Sequence, residues 1–174
     1  PDTSFIKALQ AYVTYPRTIE FALETERQYP DLSGFANDLT QVFRYLRYYF
    51  PDATLPAVYT YIGGGEYEQP VQLIDSTLLI ALDSYLGPGF LPYTADGLPQ
   101  YKTRRMTTEY LLPDCAKTLI TPWFPVHYPG NTLLDQMVDA GKRLYIAALL
   151  LPGSPGYLLT GYSPQQQEWA TTHE

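Results

Sequence analysis

Cysteine is nearly absent from this sequence. Among 174 residues there is one, Cys115, so no disulfide can form within the chain and pairing says nothing about its redox compartment. Cys115 sits in an apolar stretch and reads as a buried, inert thiol. Histidine is almost as scarce: His127 and His173 are the two in the chain, and their spacing rules out the helical His-x-x-x-His pair that holds zinc from one face. Charged residues make up only 17% of the chain, and no apolar run approaches the roughly 18 residues needed to span a bilayer. The charges present sum to −7, a balance that repels phosphate backbones and anionic lipid. Nucleic acid is not an expected partner.

What the chain does have is tyrosine (17) and proline (16), within a 45% hydrophobic composition. Its length falls within the size of one domain and allows a sizeable core, so residues 1–174 are expected to form a single domain. The chain starts at Pro1 and stops at Glu174 inside what reads as a continuing helix. It is therefore expected to be truncated at both ends, with any targeting segment outside it. A neutral, tyrosine-rich surface suits carbohydrate or protein contact, because the ring is amphipathic wherever it sits.

Helical spacing predicts short helices over Ser4–Val13 and Pro16–Gln28, the second with proline in its first turn. A stronger one spans Leu32–Phe50, where Leu39, Val42, Phe43, Leu46, Tyr49 and Phe50 recur at helical period while Asp38, Gln41, Arg44 and Arg47 take other faces. The period then changes. Residues 57–62 are β-branched and aromatic and end in Gly63-Gly64-Gly65; with Val71–Ile74 and Leu78–Leu82 they read as a small antiparallel sheet. Loop with one helical turn follows Leu82, then a helix from Tyr101 to Leu112, which Pro113 is expected to break before a second helix to Ile120. Pro122, Pro125 and Pro129 predict an extended loop. The clearest helix runs from a cap at Asn131 or Thr132 to Leu150, with Leu134, Val138, Gly141, Tyr145 and Ala148 on one stripe. A last helix is capped by Ser163 with Pro164 first and Gln166 three residues on.

Tests for chemistry return little. The glycine triplet lacks the Gly-Lys-Ser/Thr continuation of a phosphate loop and reads as a turn. In Gly153-Ser154-Pro155-Gly156 the proline would remove the backbone N–H that an oxyanion hole needs, so this too is a loop. Asp135 and Asp139 share one helix face, but Lys142 and Arg143 follow and make it a solvated, charge-compensated one. The arginines interleaved with aromatics in residues 43–50, and the cluster Lys102, Arg104 and Arg105, read as solvated edges rather than a base-stacking surface.

Five blocks in order resemble the GldB-type gliding-motility lipoproteins of Bacteroidetes: residues 42–51 (VFRYLRYYFP), 58–67 (VYTYIGGGEY), 79–87 (LIALDSYLG), 132–145 (TLLDQMVDAGKRLY) and 162–169 (YSPQQQEW). The resemblance implies an exported protein of the cell envelope, periplasm-facing, lipid-anchored through a segment outside this chain, and partnered by envelope or motility-machinery proteins. A more distant likeness is to zincin-like metallopeptidases, in which a His-Glu-x-x-His helix follows the strands and a later helix supplies an acidic residue. On that likeness Glu109 matches the general base and Asp139 the later acidic position, while Thr108 and Leu112 replace both histidines.

The expectation is thus an α+β, helix-rich single domain resembling a degenerate zincin-like peptidase. It would act as a non-enzymatic interaction or scaffolding module, without cofactor, through its tyrosine-rich sheet and loops. One alternative is a hydrolase in which Glu109, Asp139 and either Asp83 or His127 converge, His127 being the one metal-ligand candidate. The other is a glycan-binding domain stacking sugars on Tyr59, Tyr61, Tyr67 or Trp123.

Overall fold

A computed structural model describes residues 3–124 and 132–173. The protein is α+β and helix-rich, with α1 (Thr3–Thr14), α2 (Pro16–Gln28) and α3 (Ser33–Tyr49) preceding strands β1 (Ala57–Tyr61), β2 (Val71–Ile74) and β3 (Thr77–Ala81). A 3-10 turn at Leu82–Tyr85 leads to the short helices α4 (Leu91–Ala95) and α5 (Gln100–Thr103). Then come α6 (Thr108–Leu119), α7 (Leu133–Leu150), α8 (Gly156–Thr160) and α9 (Pro164–Thr172).

The strand order is β1-β3-β2. β2 and β3 form an antiparallel hairpin through Asp75 and Ser76, but β1 lies parallel to β3, in register Val58 with Leu78 and Thr60 with Ile80. The sheet is therefore mixed, where alternation alone suggested a wholly antiparallel one. The physical reason lies in the connection: residues 62–70 are too long for a tight hairpin, and they carry the chain past β3 before β2 begins.

β3 is central, and Leu78 and Ile80 are fully buried between helices. Onto them pack Leu39, Val42 and Leu46 of α3 and Leu111, Cys115 and Leu119 of α6, joined by Leu150, Leu158 and Leu159. Each such fully buried side chain contributes roughly 1.5–3 kcal/mol relative to exposure. Of the α3 stripe read from the sequence, Leu39, Val42 and Leu46 reach the core, while Tyr49 stays exposed. Burial pushes the Cys115 thiol well above its ordinary value, in keeping with an inert thiol.

Pro113 does not break the helix. α6 runs through it, with Tyr110, Leu111, Cys115 and Ala116 buried around it. The lost N–H forfeits one hydrogen bond, and core packing before and after the proline outweighs that loss. α5 is a separate short helix. α8 was not legible, because Gly153, Pro155 and Gly156 mark only a stop. The α7 cap is Thr132, in a capping box with Asp135, and α9 has the expected box of Ser163 with Gln166. On α7 the stripe through Leu134, Val138 and Tyr145 faces outward, whereas Ala147 and Leu150 enter the core.

A second, smaller cluster joins Phe21 of α2 to Leu86, Tyr93 and Met106. Phe90 meets both Phe21 and Tyr93 edge-on, with ring centroids 5.0 and 5.1 Å away. This cluster anchors α2, and through it α1, to the end of the sheet.

Candidate interaction face

The region that positions α1 and α2 is built around one carboxylate. Asp83, on the 3-10 turn that ends β3, is only 1% exposed. Its Oδ1 accepts the backbone N–H of Gly63 and its Oδ2 that of Gly64, each at 2.8 Å. Parallel pairing brings the ends of β1 and β3 together, so the turn leaving β1 meets the turn leaving β3. Burial pushes the Asp83 carboxyl above the usual carboxylate range, and the N–H groups of Gly63, Gly64 and Gly65 pull it back. The Tyr93 hydroxyl donates to the Asp83 carbonyl at 2.5 Å and accepts the Leu86 N–H at 3.0 Å.

The glycines are required because α1 and α2 close over them. Gly64 has φ +66° and Gly65 φ +113°, the left-handed side that favours glycine. A Cβ on Gly65 would stand 3.1 Å from an Arg17 guanidinium nitrogen, and one on Gly64 would stand 3.4 Å from Thr18 Oγ1. Gly65→Ala is expected to cost about 1–3 kcal/mol of stability, read as a shift in the urea midpoint at unchanged m. Gly34→Ala, with open space around the added methyl, serves as the control.

Arg17 ties the same corner from outside. It donates to Asp96 and, at 3.4 Å, to the Tyr67 hydroxyl, which itself donates to Asp96 Oδ2 at 2.8 Å; it also lies 5.2 Å over the Phe21 ring. Hydrogen bonding to Arg17, then to Tyr67, holds the Asp96 carboxyl below the usual range. A carboxyl depressed in the folded state adds stability above its unfolded value near 3.9 and loses it as pH falls through the folded value. Asp96→Asn is therefore expected to flatten the acid limb of the stability profile by at most about 1 kcal/mol, as for a pair near the surface. Unfolding titrations between pH 2 and pH 6 (roughly the window set by that linkage) measure it.

On this corner rests an apolar face that the described residues leave uncovered. No residue of α1 is buried, although Phe5, Ile6, Leu9, Tyr12 and Val13 share it; Phe5 is 66% exposed and Leu9 49%. α2 adds Ile19 and Leu23, the latter 62% exposed. Where the helices meet β1, a groove of about 550 Å³ is walled by Tyr12, Val13, Ile19, Ala22, Leu23 and Ile62. The Tyr12 hydroxyl donates to the Ile62 carbonyl and closes one end. The outward stripe of α7, with Leu133, Leu134 and Met137, exposes further apolar surface.

The residues singled out for catalysis are dispersed. Glu109 is exposed in the first turn of α6. Asp139 forms an ion pair with Arg143, N to O 2.6 Å, as the charge-compensated reading expects. Asp135 belongs to the α7 capping box. Thr108 Oγ1 is within 3.0 Å of the Tyr29 hydroxyl and accepts from Gln28 at 3.2 Å. Leu112 lines a cleft with Leu150 and Leu151, whose wall holds neither Glu109 nor Asp139. Asp83 clasps the glycine turn instead of joining them. His127 lies outside the described residues. Among the described residues no cluster of histidine, cysteine or carboxylate side chains has metal-binding geometry, and no helix is long and apolar enough to cross a membrane. Of the stacking candidates, Tyr59 is exposed on β1, Trp123 packs against Phe50 at 4.8 Å, and Tyr67 is held in the Arg17 corner. The residues that the sequence reading missed are those of the α1 face; their signal was an apolar stretch from Phe5 to Val13 interrupted by Lys7 and Gln10.

The protein is thus an α+β domain whose helices α1, α2 and α7 expose apolar side chains among the described residues. The sequence matches the family of gliding motility protein GldB over residues 1–174, and the chain belongs to that family, a group of gliding-motility lipoproteins that places the protein at the cell envelope. No curated protein and no solved structure matches it.

Proposed function

We propose that the protein is a non-enzymatic interaction module on the periplasmic side of the envelope, held there by a lipid anchor outside this chain. Its task is to dock a protein of the motility machinery on the α1–α2 face. The observation that carries this reading is α1 itself. A helix of twelve residues is marginal alone in water and depends on burying an apolar side, yet this one buries none of its side chains fully. Contiguous apolar surface of that kind marks contact sites. Were the chain aligned with zincin-like peptidases, Thr108 and Leu112 would stand where the zinc-binding histidines are, and Asp139 pairs with Arg143.

The experiment is complementation of a gliding strain that depends on this protein. A chain carrying both Glu109→Gln and Asp139→Asn is expected to restore colony spreading in full, because neither side chain is asked to do chemistry. Loss of spreading with normal protein levels would return the hydrolase reading.

A further inference from the structure

Beside the α1–α2 face lies the outer edge of the sheet, where the chemistry on offer is that of the backbone. We infer that β1 accepts an extended segment of the docked protein as an added strand, an inference that rests on the α1–α2 face being a docking surface. β1 stands at the end of the order β1-β3-β2, with no described strand beyond it. The Ala57 N–H donates to the Ser76 carbonyl at 2.9 Å, so Ala57 turns toward β3, and by the alternation of a strand Tyr59 and Tyr61 turn with it. Val58 and Thr60 therefore present their N–H and C=O groups to the open edge. Ala57, Tyr59 and Thr60 are all exposed.

An edge that is not meant to pair is ordinarily blunted by charged side chains, a bulge, proline within the strand or a very short strand. This one carries little of that protection. From Ala53 to Gly65 the sequence holds no charged residue, and β1 pairs with β3 residue for residue, without a bulge. Its five residues are an ordinary strand length. Pro56 blocks only the approach to its first residue. At the other end the Tyr12 hydroxyl already donates to the Ile62 carbonyl, so the stretch left open is residues 58–60.

Donors and acceptors in that repeat are matched by another extended backbone; a helix has already spent its own on internal bonds. The neighbouring side chains narrow the segment further. Val58 packs on the main core, and on the opposite face of the sheet stand Tyr59, 61% exposed, and the half-buried Tyr61. Aromatic and β-branched residues are the favourable cross-strand neighbours of such rings. Past Tyr61 the edge meets the groove of α1 and α2, whose walls include Tyr61, Ile62, Ile19 and Leu23. The partner thus contributes an uncharged extended segment, with β-branched or aromatic residues at alternate positions and a bulky apolar side chain at the end that enters the groove.

Hydrogen exchange on the isolated protein tests the edge, and crosslinking in living cells tests its occupant. The amides of Val58 and Thr60 are expected to exchange at least about tenfold faster than those of Tyr59 and Tyr61; equal protection would show the edge to be paired already and overturn the inference. A photoreactive residue in place of Tyr59 is expected to give an adduct of the same mass as one placed at position 9 on α1. Thr60→Pro, which deletes an outward N–H and leaves the ladder to β3 intact, is expected to cut the yield about tenfold, and Thr60→Val to leave it unchanged. Should Thr60→Pro not fold, Thr60→Lys sets a charge on the same edge and takes its place. No adduct from position 59, a yield that neither edge substitution lowers, or an adduct that is a dimer of this chain would each overturn strand addition. An adduct from position 9 without one from position 59 removes strand addition alone and leaves the α1–α2 face standing; no adduct from either removes both.

Discussion

Replacing Asp83 by alanine is expected to lower the free energy of unfolding by about 2–4 kcal/mol, the cost of leaving two part-buried N–H groups without their acceptor. Gly63 and Gly64 donate to the two oxygens of that one carboxylate. Asp83→Asn is expected to lose about half as much, since its single amide oxygen satisfies one donor while its NH2 confronts the other. The effect should also be directional. Hydrogen exchange of residues 57–65 and of α2 is expected to quicken more than that of α3, which packs on the other core. A loss under about 0.5 kcal/mol, the range of a neutral surface change, would show that the carboxylate does not hold the turn.

The second large effect is on function rather than stability. The double substitution Ile6→Glu and Leu9→Glu places two charges on side chains that are already about half exposed. Stability is expected to stay within about 0.5 kcal/mol of the parent, because no buried contact is removed. Gliding is expected to fall to the level of a strain lacking the protein, because a docked apolar face cannot accept two unpaired carboxylates without a large desolvation penalty. Colony spreading and thermal unfolding, measured on the same variant, separate the two. A variant that glides normally removes α1 from the interface; one that unfolds shows α1 to be part of the core.

Much of the secondary structure was legible because its signals are local. Proline at the start of α2, the Ser163–Gln166 box and the Leu39–Val42–Leu46 stripe each act within a turn or two of helix. The pairing of β1 with β3 was not legible, since strand direction depends on how residues 62–70 cross the sheet end. Pro113 misled for a related reason: the local cost of proline is readable, but the core contacts of Leu111 and Cys115 that outweigh it are not. α7 shows the limit most clearly. Its apolar stripe through Leu134, Val138 and Tyr145 has helical period, yet the structure turns it outward and buries Ala147 and Leu150 instead. Periodicity identifies a face, and only the packing of neighbouring elements says whether that face is covered.

The candidate site divides in the same way. Asp83 was legible as an acidic residue at a strand end, but its partners are backbone N–H groups twenty residues earlier, which no side-chain pattern reveals. Gly63-Gly64-Gly65 was legible as a turn. That the turn must be glycine follows from Arg17 and Thr18 closing over it, a contact between segments that only folding brings together.

The central claim, that the α1–α2 face is a docking surface, is tested most directly by crosslinking in living cells from a photoreactive residue at position 9. The account predicts one discrete adduct with an envelope protein, lost when Leu23→Glu is added, and no such adduct from the same probe at Tyr48, which is 77% exposed on α3. No adduct from position 9, or the same ladder from both positions, would contradict it.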